Sequence, residues 1–238
     1  MEEKCAERKV THWNSGVERR RDWRCNGISQ EKGEKMSKLE RINEVLKNAV
    51  EEMQKIMKEP EEKEIELVKL KPGDKFVTEI GKFIVLGHDN GTTMVIKEDF
   101  FKENVQFDNN TRDYTKSSLK KIFDDEITPS FEKVFGEHLV EHEVDLKSVD
   151  MQDYGKFKCK VRPMTFDEAR EFSTLIVNEN LPDWCWTCTP WSSEKRGYKY
   201  SVVVVSPSGG IDCNDCYYDL GVRPFGILRS SIFVSKEN

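Results

Sequence analysis

Hydrophobic residues in the first third of the chain recur at alternating steps of three and four, which is the seam of a heptad helix. Ser37 and Glu40 fit a capping box at the start of this pattern, and Pro60 marks its end. We therefore predict a helix over residues 37–59. It either lies on a neighbouring domain or self-associates as a short coiled coil, and self-association is the preferred interpretation. The seam residues are Leu39, Ile42, Leu46, Ala49, Met53 and Ile56.

From residue 63 the pattern changes to that of short strands and short helices. Asn90-Gly91 is a strong hairpin signal, because both residues tolerate a positive φ. A helix is predicted to begin at Thr128 as its N-cap, with Pro129 in the first helical position. The other predicted elements of this part are strands over residues 75–80, 82–87 and 92–97 and a helix near residues 117–124.

The remaining pattern mixes strands with one further helix. Thr165 and Glu168 again fit a capping box and predict a helix over residues 165–178. A continuous apolar run at residues 202–205 predicts a strand buried on both faces. Because helices and strands mix without βαβ alternation, the predicted fold class is α+β. Further elements are strands over residues 140–146, 226–228 and 232–234 and a turn at residues 206–210.

Composition and charge indicate which classes of partner this chain is not expected to bind. The 238 residues are 37% hydrophobic and 34% charged, with a formal net charge of -6. Nucleic acid is not an expected partner, since binding a phosphate backbone needs a local basic excess. Membrane insertion is not expected either, because no apolar stretch approaches the roughly 20 residues that a span requires.

Residues 1–35 show neither helical nor strand periodicity and are predicted to be disordered or a non-native extension. A purine-rich string could encode the four residues before Met36 and would resemble a bacterial ribosome-binding site. This suggests the hypothesis that Met36 is the natural start. The segment has no apolar core of the signal-peptide kind. We expect cytoplasmic synthesis without a signal peptide, and association with a virion stays open.

The cysteines offer one alternative function. Seven cysteines are an odd number, and a reducing compartment makes a disulfide framework unlikely. Two C-x-x-C pairs have the outline of a four-thiolate zinc site, which would make the protein a zinc-stabilised structural or regulatory module. The bulky flanks and the absence of a following glycine favour well-packed neutral thiols instead. The residues concerned are Cys185, Cys188, Cys213 and Cys216.

The segment between Trp191 and Gly221 is rich in Tyr, Ser, Asn and Asp. Binding loops favour these residues, because Tyr gives a large contact area at low entropic cost and small polar residues adapt their hydrogen bonds. Ordinary turns between short strands explain the same composition equally well. Composition alone therefore leaves binding and structural interpretations open.

Several motifs, taken in order along the chain, resemble those of a known protein family. Its Trp-Cys-Trp-Thr-Cys-Thr-Pro run at residues 184–190 resembles the "WW-x-x-(S/T)-P" strand of a phage and prophage domain family of unknown function. Residues 221–225 resemble that family's closing "GVRP" motif. Residues 83–91, 114–123, 140–146 and 230–234 fit the same pattern. The resemblance covers nearly everything from residue 63 to residue 234.

The family is similar to the C-type-lectin fold, in the branch shared with formylglycine-generating enzymes and with retroelement-diversified variable proteins of phages. The resemblance implies a C-type-lectin-like domain over residues 63–238 whose last strands and loops display a ligand-binding face. In the diversified proteins, variable positions rich in Tyr, Asn, Asp and Ser lie just before the C-terminal strands. The matching residues are Tyr198, Tyr200, Asn214, Asp215, Tyr217, Tyr218 and Asp219.

The preferred function is therefore a phage- or prophage-encoded binding protein of receptor-recognition type, without enzymatic activity and without a cofactor. Its expected partner is a protein or glycan ligand, and residues 37–59 would allow homo-oligomerisation. A formylglycine-type oxidase remains a second alternative, although Cys213 and Cys216 do not match the copper-holding context of those enzymes. The Glu-Pro-Asn type loop of calcium-dependent lectins is absent from the sequence.

Overall fold

The computed structural model describes residues 37–58 and 64–237 of the chain. The chain divides into two units, Met1–Glu59 and Pro60–Asn238. The expectations for residues 1–35 lie outside the described residues. None of the helices in the described part of the chain combines the length and apolarity that a membrane span requires.

The described part of the first unit is helix α1, Lys38–Lys58. Its start carries reciprocal hydrogen bonds. The Ser37 amide donates to Glu40 Oε2 at 2.6 Å, and the Glu40 amide donates to Ser37 Oγ at 3.2 Å. Two of the amides that a helix start leaves without partners are satisfied in this way.

The second unit is α+β, as the sequence predicts, and consists mostly of sheet. Its strands are β1 Glu64–Glu66, β2 Lys75–Thr78, β3 Gly81–Asp89, β4 Thr92–Lys97, β5 Lys102–Gln106, β6 His142–Lys147, β7 Asp153–Cys159, β8 Val161–Arg162, β9 Cys185–Pro190, β10 Ser201–Val205, β11 Ile211–Asp215, β12 Asp219–Val222, β13 Phe225–Arg229 and β14 Phe233–Lys236. Its helices are α2 Ser118–Ile122, α3 Thr128–Phe135 and α4 Phe166–Glu171, with a π-helical turn at Phe123–Ile127.

Two sheets and one hairpin organise these strands. The larger sheet has the order β1-β14-β2-β3-β4-β13-β8, the smaller one β11-β10-β9-β12-β5, and β6 pairs with β7. The first and last strands are antiparallel neighbours, with Ile65 opposite Val234. The two ends of the described unit therefore meet in one sheet. The smaller sheet contains one parallel contact, between β12 and β9.

Strand β3 of the β3–β4 hairpin contributes side chains to two separate buried clusters. Asn90 and Gly91 have φ values of 44° and 80°, so the predicted Asn-Gly turn is confirmed. Because side chains alternate along a strand, Phe83 and Val85 of β3 enter one buried cluster, with the residues of α2 and α3. Ile84 and Leu86, on the opposite face of the strand, enter a second cluster that packs against α4. The strand is thus buried on both faces.

Helical structure between residues 118 and 135 is continuous, which differs from the two separate helices predicted. A π-helical turn joins α2 to α3, and no side-chain hydrogen bond caps α3. The amide of Thr128 bonds to Phe123 O across this wider turn. Since Pro129 has no amide hydrogen to donate, a locally widened turn accommodates it without breaking the helix.

Helix α4 is shorter than predicted, although its start is correct. The Thr165–Glu168 capping box is present, but the helix ends at Glu171. Turns follow, and they still bury Phe172 and Ile176. The chain beyond the helix is therefore still packed against the core, although it is not helical. Ser and Thr at positions 173 and 174 compete for backbone hydrogen bonds and favour termination.

The Gly-Val-Arg-Pro segment is fixed by close packing. A Cβ atom at Gly221 would lie 2.2 Å from the Phe100 ring, so the backbone there approaches an aromatic side chain directly. Arg223 is only 1% exposed, and it donates to Lys97 O at 3.0 Å and to Ile176 O at 2.6 Å. These contacts tie the end of β12 to β4 and to the segment after α4.

Candidate functional site

Three tyrosines meet at the turn between β11 and β12. The rings of Tyr200 and Tyr217 are 6.2 Å apart in an edge-to-face arrangement, and those of Tyr217 and Tyr218 are 5.2 Å apart. Tyr217 is 43% exposed and Tyr218 52%, while Tyr200 packs partly on the main core. We call these three residues together with Asp215 the tyrosine cluster. It is a rigid aromatic surface open to solvent.

Asp215 holds the cluster together. Its carboxylate accepts from the Tyr217 hydroxyl at 2.7 Å and from Ser201 Oγ at 2.8 Å. Its carbonyl accepts from the Tyr218 amide at 3.0 Å, which closes the turn. The hydrogen bond to Asp215, with burial as a smaller cause, raises the pKa of the Tyr217 hydroxyl to about 12. Tyr217 is therefore a neutral donor, held in one orientation.

The other three predicted site residues lie around the cluster rather than in it. Tyr198 is exposed and packs against Trp191 instead, with the ring centroids 6.5 Å apart. Asp219 follows Tyr218 directly and is exposed at the start of β12. Asn214 points its amide oxygen at the Asp215 amide, 3.0 Å away. The structure thus brings together Tyr200, Asp215, Tyr217 and Tyr218, and it places the remaining predicted residues around them.

Arg112 is a supporting residue that the sequence did not reveal. It is only 5% exposed, and its guanidinium donates to the carbonyls of Ser192 and Tyr198. It therefore fixes the loop that leads into β10 and carries Tyr198. A charged residue between Thr111 and Asp113 normally indicates a solvated turn, so no local pattern could have identified this role.

Three further residues that sequence reasoning missed touch the cluster. Ser201 bonds to Asp215, Gln106 Nε2 donates to Tyr217 O at 2.9 Å, and Lys199 Nζ lies 5.4 Å from the centre of the Tyr200 ring. Lys199 and Ser201 lie inside the Tyr- and Ser-rich segment, so its composition was the available signal. Gln106 comes from β5, distant in sequence, and its contact depends on the strand order.

The free edge of β11 is protected by its own side chains. Along this strand, β10 is the hydrogen-bonded neighbour on one side. The amide of Cys213 donates to Asp212 Oδ1 at 2.8 Å, and the amide of Asp215 donates to Asn214 Oδ1 at 3.0 Å. Edge amides satisfied in this way are poor templates for an added strand. A ligand would therefore meet side chains here rather than pair with the backbone.

The paired cysteines do not form a metal cluster in the structure. Cys185 lies in the cluster against α4, whereas Cys188 and Cys216 lie in the main core. Two residues three apart on a strand project to opposite faces, which explains the separation. Burial raises the pKa of Cys185 to about 11 and that of Cys188 to about 12. In the parts of the chain that the structure covers, no group of three or more His, Cys, Asp or Glu residues could hold a metal ion.

A thiol–imidazole contact lies across the β6–β7 hairpin. Cys159 Sγ is 3.7 Å from His142 Nε2. Burial lowers the pKa of His142 and raises the pKa of Cys159 to about 11. Both groups are therefore neutral near pH 7, and a nucleophilic cysteine would need the thiolate. The contact is a packing interaction between neutral side chains.

An open groove of about 560 Å³ lies between β6 and α4. The charged side chains that line it form ion pairs with one another or with a neighbouring lysine. Arg162 donates to both carboxylate oxygens of Glu168 at 2.6 Å, and Glu143 accepts from Lys156 at 2.8 Å. The opposite charges of these pairs therefore neutralise one another within the groove.

Comparisons with known proteins give no relative for this chain. No protein-family model, no curated protein and no solved structure matches it. The function is therefore proposed from the geometry of the site and from the resemblance of the sequence motifs.

Proposed function

We propose that the second unit is a phage- or prophage-encoded ligand-binding domain of C-type-lectin-like fold, which holds a protein or glycan ligand on the tyrosine cluster. The observation that carries the proposal is the arrangement of Tyr200, Tyr217 and Tyr218 as adjoining rings, with Tyr217 fixed by Asp215. Binding here needs no chemical step.

The position of the motifs supports the fold. The Trp-Cys-Trp run coincides with β9 and the "GVRP" segment with the passage from β12 to β13, in the order that the resemblance implies. The pairing of β1 with β14 brings the two ends of the described unit into one sheet. The tyrosine cluster lies around the turn between β11 and β12, within the segment that the resemblance implies for a binding face.

The energetics of the cluster support ligand binding. Tyr side chains lose little conformational freedom on binding, and the hydrogen bond from Tyr217 to Asp215 removes part of that freedom beforehand. Tyr218 is the more exposed ring and would provide the main contact area. The nearby carboxylates of Asp215 and Asp219 are acceptors. They suit a ligand that supplies donors, such as sugar hydroxyls or basic side chains.

The test is binding of the full chain to an array of cell-surface glycans and proteins, followed by affinity measurements on the hits. Tyr217→Ala and Tyr218→Ala should each weaken binding by about 2 kcal/mol, or roughly thirtyfold, as expected of central aromatic contacts. Phe233→Ala is the matched control, because Phe233 is a 58% exposed aromatic on β14, outside the cluster. Unchanged binding in both tyrosine variants would reject this face.

A further inference from the structure

Helix α1 exposes a continuous apolar face. Its large apolar side chains are between 49% and 72% exposed. Most of the stability of a helix in a protein comes from packing of its apolar face, so we expect a partner to cover this face. The residues concerned are Leu39, Ile42, Val45, Leu46, Val50 and Met53.

The heptad positions identify the partner. Leu39, Leu46 and Met53 occupy the a positions, and Ile42 and Ala49 the d positions. Leucine at a combined with isoleucine at d favours bundles of three or four helices over dimers. The seam of α1 is therefore suited to other copies of itself, in an assembly larger than a dimer.

The flanking positions point to the same conclusion. Val45 occupies a g position and Val50 an e position, where two-stranded coiled coils usually carry Glu or Lys. These two valines widen the apolar face beyond a narrow seam. A wider face is buried only when each helix contacts two neighbours, as it does in a trimer or tetramer.

We infer that α1 assembles with α1 of further copies of the chain into a parallel trimeric or tetrameric bundle. In a parallel, in-register alignment, Val45 of one copy lies beside Val50 of the next, and Lys38 lies beside Asn43. An antiparallel alignment that sets Ile42 against Met53 would instead place Val45 beside Glu52 and desolvate a carboxylate. The parallel arrangement matches apolar with apolar side chains and opposes no like charges among the described residues.

Sedimentation velocity and light scattering on the full chain test the assembly. The expected mass is three or four times that of the chain, and a monomer or dimer at micromolar concentration would overturn the inference. Leu46→Glu should reduce the mass to that of one chain. Asn48→Glu, on the polar face of the same helix, should leave the assembly intact. Near-ultraviolet circular dichroism checks that the second unit stays folded in both variants.

Exchanging the seam residues tests the packing argument directly. The variant with Leu39→Ile, Ile42→Leu, Leu46→Ile and Ala49→Leu, combined with Val45→Glu and Val50→Lys, has isoleucine and leucine at the exchanged a and d positions and charged residues at g and e. This pattern favours two strands. Its mass should fall to that of a dimer, and an unchanged mass would overturn the assignment of these heptad positions. No ligand enters this measurement, so its failure is separate from failure of the proposed binding face.

Disulfide cross-linking tests whether the helices of the bundle run parallel. Ser37→Cys should form a disulfide between copies under mild oxidation, because parallel helices bring their first residues together. The unaltered chain, which carries seven cysteines of its own, is the control. Cross-linking no greater than in the unaltered chain would overturn the parallel arrangement. A parallel bundle would present several tyrosine clusters at once and so raise avidity without new contacts.

Discussion

The hydroxyl of Tyr217 donates to Asp215 Oδ2 at 2.7 Å, and this bond links an exposed aromatic ring to strand β11. The same carboxylate also accepts from Ser201 on β10. Two strands and a turn thus share one acceptor. The orientation of Tyr217 is therefore set by the sheet.

Replacing Asp215 with Asn should lower the pKa of Tyr217 from about 12 towards the ordinary tyrosine value of about 10. The reason is that a carboxylate acceptor favours the protonated phenol and repels the phenolate. A pH titration of the tyrosine Cζ resonances by NMR measures this value directly. Asp219→Asn is the control, and an equal shift in that variant would argue against the specific hydrogen bond.

Gly221→Ala should destabilise the protein by about 1–3 kcal/mol, because the new methyl group would overlap the Phe100 ring. Denaturant unfolding measures the loss. The double variant Gly221→Ala/Phe100→Leu should be more stable than the sum of the two single effects predicts, since the smaller side chain makes room. Strict additivity would show that the overlap is relieved elsewhere.

This glycine illustrates what the sequence could not show. Its role depends on Phe100, which is distant in the sequence, and no local pattern reports that approach. Sequence patterns correctly predicted the features that depend only on neighbouring residues. Examples are the Asn90-Gly91 turn and the Thr165–Glu168 capping box. Periodicity also identified β10, whose residues are all buried.

The same distinction applies to the candidate site. Composition pointed to the Tyr- and Asp-rich segment, but it could not separate Tyr217, which joins the cluster, from Tyr198, which packs against Trp191. Tyr198 lies in the loop before β10, whereas Tyr217 lies in the turn between β11 and β12, and only the tertiary structure shows which of them joins the cluster. The buried role of Arg112 likewise depends on tertiary contacts with Ser192 and Tyr198.

Removing metal ions should leave the protein's stability unchanged. Cys185 and Cys188 lie in different buried clusters, and burial keeps both thiols protonated at pH 7. A structural zinc site would need them as thiolates converging on one ion. Thermal unfolding with and without EDTA should give the same midpoint. A chelator-dependent drop that disappears in Cys185→Ser would instead support the zinc-stabilised alternative.

Glu168→Gln should destabilise the second unit by about 3–5 kcal/mol, since it leaves the Arg162 charge buried without its partner. Arg162 is 3% exposed and stacks on the Phe225 ring, so solvent cannot replace the carboxylate. Replacing both partners, as Arg162→Met/Glu168→Leu, should cost less than this single change. Denaturant unfolding of the unaltered chain and of these two variants provides the comparison.

The ion pair between Arg162 and Glu168 should make the stability of the second unit depend on pH. Burial alone would raise the pKa of Glu168, but the hydrogen bonds and charge of Arg162 outweigh it and lower the pKa below its ordinary value. A depressed pKa adds stability above the unfolded value of about 4.3, and that stability is lost as the pH falls through the folded value. The stability gap between wild type and Glu168→Gln should therefore shrink below about pH 4. A gap that is constant with pH would contradict the ion pair.

Removing both side chains that cover the β11 edge should open it. In the double variant Asp212→Ala/Asn214→Ala, the amides of Cys213 and Asp215 lose their acceptors and face solvent. Hydrogen exchange at these two amides should become faster than in the unaltered chain. The exposed edge should also promote concentration-dependent association through strand pairing. Asp219→Ala removes an exposed carboxylate from the neighbouring β12 and should change neither property, so a similar response there would point to net charge rather than edge protection.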